Sequence, residues 1–262
     1  MKKLVIQNLS IPLYLAALIA SLLIIMLPSC KKENNEIQPL VFKASGYIDD
    51  AINDFRSRLG NINTIPGATG GRREINWDGV PDSLVGRAFP NDFFNRTEAN
   101  APVTLQRGLI YATNAGEFQV SKNNFSSTDP ASTGEFAAFS GAKTFANVTT
   151  NEWPVNFQVA GQTTAAYTKG FGIVFSDVDL ANSTSLEFFE GEKSLGKFFA
   201  APHSFSSSFS FLGVYFPGNE HITKVIVRHD GILSDGQRDI SAGGPHDLVI
   251  FDDFIYGEPQ KQ

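Results

Sequence analysis

The stretch that decides the fold is "HDLVIFDDFIYG", residues 246–257. Leu248 to Phe251 is apolar at every position, Asp252 and Asp253 interrupt it, and Phe254 to Tyr256 resumes it. Side chains alternate across an extended chain, so a continuous apolar run puts bulk on both faces. Such a strand belongs in the middle of a sandwich or beneath a covering element. "FLGVYF" (211–216) reads the same way. Around these two recur "GLIYAT", "GEFQVS", "PVNFQVA", "GFGIVFSDVDL", "TSLEFFE", "LGKFFAA" and "ITKVIVRHDG", punctuated by Gly, Pro, Asn, Ser and Asp. Short strands and turns in that recurrence predict an all-β sandwich or barrel. Phenylalanine is unusually abundant, at 23 residues, and serves first as core filler. No internal repeat is evident.

One helix is expected before the strands. In "SGYIDDAINDFRSRLG" (45–60), Ile48, Ala51, Ile52, Phe55 and Leu59 recur at spacings of three and four and form one apolar stripe. Ser45 is placed to cap it. Asp49 and Asp50 suit the positive first turn, Arg56 and Arg58 the last, and Gly60 the stop. The helix, near 47–59, is expected to cover one side of a sheet.

The N-terminus carries the clearest targeting signal. Lys2 and Lys3 precede a long apolar run, Ile11 to Leu27, and then "LPSC" (27–30). The order is that of a secretory signal peptide. The run also approaches the roughly 18 to 20 residues that span a bilayer, so an uncleaved membrane helix is the alternative. Cys30 is the single cysteine, so it makes no internal disulfide. "LPSC" resembles the bacterial lipobox, in which the cysteine is lipidated after cleavage. The expectation is a signal peptide over 1–29, a solvated tether over 30–44 and one domain over 45–262. The domain would be held to a membrane by a lipid on Cys30, outside the cytoplasm and at the outer membrane or cell surface. Removing residues 1–29 removes Lys2 and Lys3 and no acid, taking the formal charge from −6 to −8. That argues against a nucleic-acid surface, which needs clustered Lys and Arg. It is compatible with cations or neutral glycans.

Several segments together resemble one family. "GRREINWDG" (71–79), "FFN" (93–95), "GEFQVS" (116–121), "GFGIVFSDVDL" (170–180), "SLEFFEGEKSLGKFF" (185–199), "FLGVYF" (211–216) and "DDFIYGEP" (252–259) look like exported bacterial proteins that often carry a PEP-CTERM sorting tail. The resemblance implies a β-sandwich of the jelly-roll or lectin-like kind and a surface destination. It implies no established biochemical activity. After "GEP" only Gln260, Lys261 and Gln262 remain, so the anchor is expected on Cys30 rather than on a C-terminal tail.

Carboxylates in strand contexts are the first candidates for chemistry. Asp177 and Asp179 lie two apart and would face one way if their strand continued through them. Asp252 and Asp253 would point to opposite faces. Burying such groups without partners costs several kcal/mol. A bound calcium, with six to eight oxygen ligands, would satisfy them; so would turn capping or pairing with arginine. The cluster "RREINWD" supplies Arg72, Arg73, Glu74 and Asp78. An inward arginine could hold Asp177 or Asp252 in bidentate fashion, and Glu74 and Asp78 could be metal ligands or ion-pair partners. Trp77 and Trp153 are core residues or sugar-stacking platforms. "DSL" (82–84) resembles a bacterial O-glycosylation acceptor at Ser83, or is an Asp-Ser turn after Pro81.

The sequence holds no G-x-S-x-G elbow, H-E-x-x-H motif or Walker loop. "GATGGR" follows no βα pattern, and the four histidines are scattered. The expected role is non-catalytic, structural or matrix-related. The alternative is a glycan-binding module supported by calcium. A carboxylate pair hydrolysing glycosides is a more remote one.

Overall fold

The computed structural model describes residues 37–262 apart from 204 and 206. The signal peptide, Cys30 and the first part of the expected tether, residues 30–36, lie outside the described residues. In chain order the elements are β1 (Leu40–Ser45), α1 (Asp49–Leu59), β2 (Arg72–Ile75), β3 (Leu109–Tyr111), β4 (Phe118–Ser121), β5 (Thr144–Asn147) and β6 (Glu152–Phe157). They continue with β7 (Ala166–Tyr167), β8 (Gly170–Ser176), β9 (Ser185–Glu190), β10 (Lys193–Phe199), β11 (Phe209–Tyr215), β12 (Lys224–Arg228), β13 (Ile250–Gly257) and β14 (Gln260–Lys261).

The fold is a β-sandwich. One sheet runs β1-β11-β8-β13-β5-β4, with β2 also paired to β13; the other runs β10-β9-β12-β6-β3; β7 and β14 form a small separate pair. Every named strand pair is antiparallel. The main core fills the space between the two large sheets, and a second cluster lies between α1 and the first sheet.

These two layers explain the doubly apolar strands. β8 and β13 are buried at every position, and β11 at its five central ones. Phe251, Phe254 and Tyr256 face the inter-sheet core, whereas Ile255 joins Ile48, Ile52, Phe55 and Leu59 of the helical cluster. Gly213 lets α1 lie close, because a Cβ there would come within 3.0 Å of the Phe55 ring.

Three local expectations are corrected. Ser45 does not cap α1: it ends β1, and the helix begins after Ile48 without a side-chain cap. The last part of the expected tether is a strand, since Leu40 to Ser45 pair residue for residue with β11. That pairing depends on an edge supplied some 170 residues later, which local composition does not reveal. "RREI", read as a charged cluster, is itself β2, registered against Phe254 to Gly257.

Candidate metal centre

The aspartates of "SDVD" leave the sheet rather than continue it. β8 ends at Ser176, and Asp177 takes a positive φ of 73°. Its N–H donates to the Ser208 carbonyl at 2.9 Å. Asp177 and Asp179 then enter a cluster with Asp239, Asp247 and Glu135, brought in by loops before β13 and before β5.

Three members of the cluster accept hydrogen bonds. Asp239 accepts from the N–H of Leu248 through Oδ1 and of Ser241 through Oδ2, both at 2.7 Å. Asp247 accepts from the N–H of Asp179 (3.1 Å), the N–H of Leu180 (2.8 Å) and the Ser183 hydroxyl (2.5 Å). Glu135 accepts from the Ser241 hydroxyl at 2.7 Å.

Asp177 and Asp179 are different. All four of their carboxylate oxygens are buried without a hydrogen-bond partner, and Asp177 is 0 % exposed. Among the described residues no basic side chain pairs with Asp177, Asp179, Asp239 or Asp247. Burial, reinforced by Asp239, Asp179, Glu135 and Asp247, pushes the Asp177 carboxyl up to about 9. Burial, with Asp239 and Asp247, raises Asp179 to about 6. Burial also raises Asp247, against the hydrogen bonds that favour its charge.

Donor oxygens from Glu135, Asp177 and Asp239 lie within 4.8 Å of one another, as do those from Asp179, Asp239 and Asp247. These groups could hold a metal ion. All-oxygen donors suit hard cations rather than zinc or copper.

Asp252 and Asp253 do not join them. A register shift between Phe251 and Phe254 interrupts the pairing of β13 with β8. The shift brings both carboxylates to one hydroxyl instead of to opposite faces: Ser140 Oγ lies 2.6 Å from Asp253 and 3.4 Å from Asp252. Asp252 also accepts from the N–H groups of Phe139 (2.6 Å) and Ser140 (3.2 Å). Burial, and then the neighbouring Asp253, raises Asp252 to about 8. The four aspartates expected to share one calcium are thus split between two sites.

Among the described residues neither Arg72 nor Arg73 pairs with Asp177 or Asp252. Arg73 forms a bidentate pair with Glu258, Nε to Oε2 at 2.6 Å and Nη2 to Oε1 at 2.8 Å, both side chains 1 % exposed. Arg72 and Arg56 both bind Glu74, at 2.6 and 2.7 Å. Burial raises the Glu74 carboxyl, but the two guanidiniums outweigh it and hold it below its ordinary value. Asp78 stands apart, accepting from the N–H of Ala142 at 2.8 Å. The expected ion-pair cluster is therefore two separate clamps, and Asp78 belongs to neither.

Both tryptophans are 0 % exposed, so neither presents a face to a sugar. Trp77 stacks on Phe145 at 3.9 Å between ring centres, and its Nε1 donates to the Asp252 carbonyl at 2.8 Å. Ser83 sits exposed in a 3-10 turn, Asp82–Leu84, with Asp82 paired to Lys143 at 3.1 Å.

No family model and no curated protein matches this chain. Among solved structures it is similar to the catalytic domain of a family-87 α-1,3-glucanase bound to tetrasaccharides, with 16% identity, 60% of this chain and 30% of that one covered, and a TM-score of 0.28. It is also similar to a family-43 arabinoxylan arabinofuranohydrolase from Bacillus subtilis bound to cellotetraose, with 12% identity, 86% and 38% coverage, and a TM-score of 0.31. A third is a family-61 carbohydrate-binding module bound to β-1,4-galactotriose, with 9% identity, 67% and 98% coverage, and a TM-score of 0.22. The chain spans 30% and 38% of the length of the first two.

Sequence reasoning missed Glu135, Asp239 and Asp247 as members of the cluster, and Glu258 as the arginine partner. The signal for two of them was present: "SDGQRDISAGGPHD" (234–247) is a Gly-rich loop with three acids leading into the most buried strand. Nothing local connected it to Asp177.

Proposed function

We propose that this chain is the extracytoplasmic domain of a lipid-anchored surface protein, a non-catalytic β-sandwich whose loop end is locked by calcium. The observation that carries the reading is Asp177: a fully buried carboxylate, both oxygens unpartnered, facing Glu135 and Asp239. Calcium fits better than magnesium because the carboxylates come from separate loops, and calcium tolerates irregular, carboxylate-rich coordination. The ion would tie the loop after β8 to the one before β13, giving a stable scaffold outside the cell.

The test is thermal unfolding of metal-stripped protein. Millimolar Ca²⁺ should raise the melting temperature and chelator should reverse it; no shift sinks the calcium reading. The anchor is tested separately. Cys30→Ser should abolish lipid labelling in a bacterial host, and persistent labelling refutes it.

Glycan binding is the second reading. It is favoured by a groove of about 350 Å³ lined by Ile110, Asn156, Thr163, Lys224 and Gln262 on the five-stranded sheet and beside it. Amide, hydroxyl and ammonium groups beside an apolar side chain suit neutral sugar hydroxyls. A glycan screen that returns no binder weakened by Asn156→Ala removes this reading.

A further inference from the structure

The five carboxylates do not form one coordination sphere. Donor oxygens converge in two sets of three, Glu135 with Asp177 and Asp239, and Asp179 with Asp239 and Asp247. Calcium–oxygen distances of about 2.3 to 2.6 Å allow two ligands of one ion to be no more than about 5 Å apart. Each triad meets that limit, and the five together do not form one such set.

We infer that the cluster is a two-ion centre: Glu135, Asp177 and Asp239 hold one divalent cation, Asp179, Asp239 and Asp247 hold a second, and Asp239 bridges them. The inference rests on the calcium reading above and adds a stoichiometry to it.

Three independent observations support two ions over one. First, the two aspartates with unpartnered oxygens fall one in each triad, so each triad has its own donor lacking a partner. A single ion at either triad would leave the other aspartate without a cation of its own. Second, five carboxylates carry five negative charges when ionised. One divalent ion leaves three uncompensated over the five carboxylates, while two leave one, which suits a largely buried site of low dielectric. Third, Asp239 has the anchoring a bridge needs. Each of its oxygens is fixed by one backbone N–H and keeps a lone pair for a cation.

The experiment is native mass spectrometry of the full chain in detergent, stripped of metal and titrated with Ca²⁺. Two ions per chain are expected. Glu135→Gln should bind one, because only the first triad loses a ligand; Asp247→Asn should bind one, at the other triad. Asp239→Asn should weaken both by at least tenfold. Glu135 is only half-buried, so its variant keeps the test open if an aspartate variant does not fold. A wild-type stoichiometry of one overturns the two-ion centre and leaves the calcium reading standing. A stoichiometry of zero overturns both. A Glu135→Gln protein that still binds two ions overturns the bridged assignment.

Discussion

Arg73 and Asp177 are both charged groups carried into the interior, and the protein treats them in opposite ways. Arg73 meets Glu258 in a bidentate pair, and its guanidinium also reaches the Ile65 carbonyl at 2.7 Å. Its charge is answered inside the chain. Asp177 meets only other acids and a backbone that offers its oxygens no donor. Among the described residues no basic side chain or hydrogen-bond donor answers its charge. The first arrangement is complete as folded; the second asks for a cation. Asp252 lies between the two, raised by burial and by Asp253 but served by two loop N–H groups and Ser140.

The largest effect should come from breaking the completed pair. Glu258→Gln leaves Arg73 buried without a counter-charge, and losing one partner of a buried pair costs about 3–5 kcal/mol. Urea unfolding reads it. A loss under about 1 kcal/mol would mean that the pair contributes little and that the contrast with Asp177 is false. The double variant Arg73→Met/Glu258→Leu should recover most of the loss, since it removes both charges together.

The middle effect has the opposite sign. Asp177→Asn should stabilise the metal-free protein at pH 8 by roughly 1–3 kcal/mol, because it removes a buried, unpartnered carboxylate. The same variant should lose much of the calcium response, which for a site at a hundred times its Kd is about 2.7 kcal/mol. Destabilisation of the metal-free form would show that the carboxylate already has an internal partner.

The smallest effect is the pH dependence of Asp252. Its folded pKa, about 8, lies above the ordinary value of 3.8, so between these values the folded state holds a proton that the unfolded state has released. Stability therefore falls as pH rises through that window, by at most about 1.4 kcal/mol per pH unit for one proton. His229, which burial lowers to about 4, acts the other way, and its stability is lost as pH falls below about 6.5. The comparison belongs between pH 6.5 and 7.5. There Asp252→Asn should flatten the melting-temperature slope relative to the parent, by a few degrees. An unchanged slope would assign it to the Asp177 cluster instead.

Much of the scaffold was legible from local pattern. The apolar stripe of residues 48–59 gave α1, and the doubly apolar runs placed β11 and β13 between two layers. Trp77 was readable as core. β1 was not, because "LVFKAS" becomes a strand only against the free edge of β11. The bulge at Asp252 was not either: alternation put the two aspartates on opposite faces, and only the register shift brings both to Ser140.

By itself the sequence determined most of the strands, the helix and which residue types would be costly to bury, because those follow from alternation, periodicity and the solvation of charge over a few residues. Tertiary structure alone decided how each cost is met. Arg73 is 185 residues from Glu258, and Asp177 reaches Asp239 only when two loops close over the end of β8. Whether a buried charge is paired or left for a cation depends on which distant loop arrives beside it, and local sequence pattern does not encode that approach.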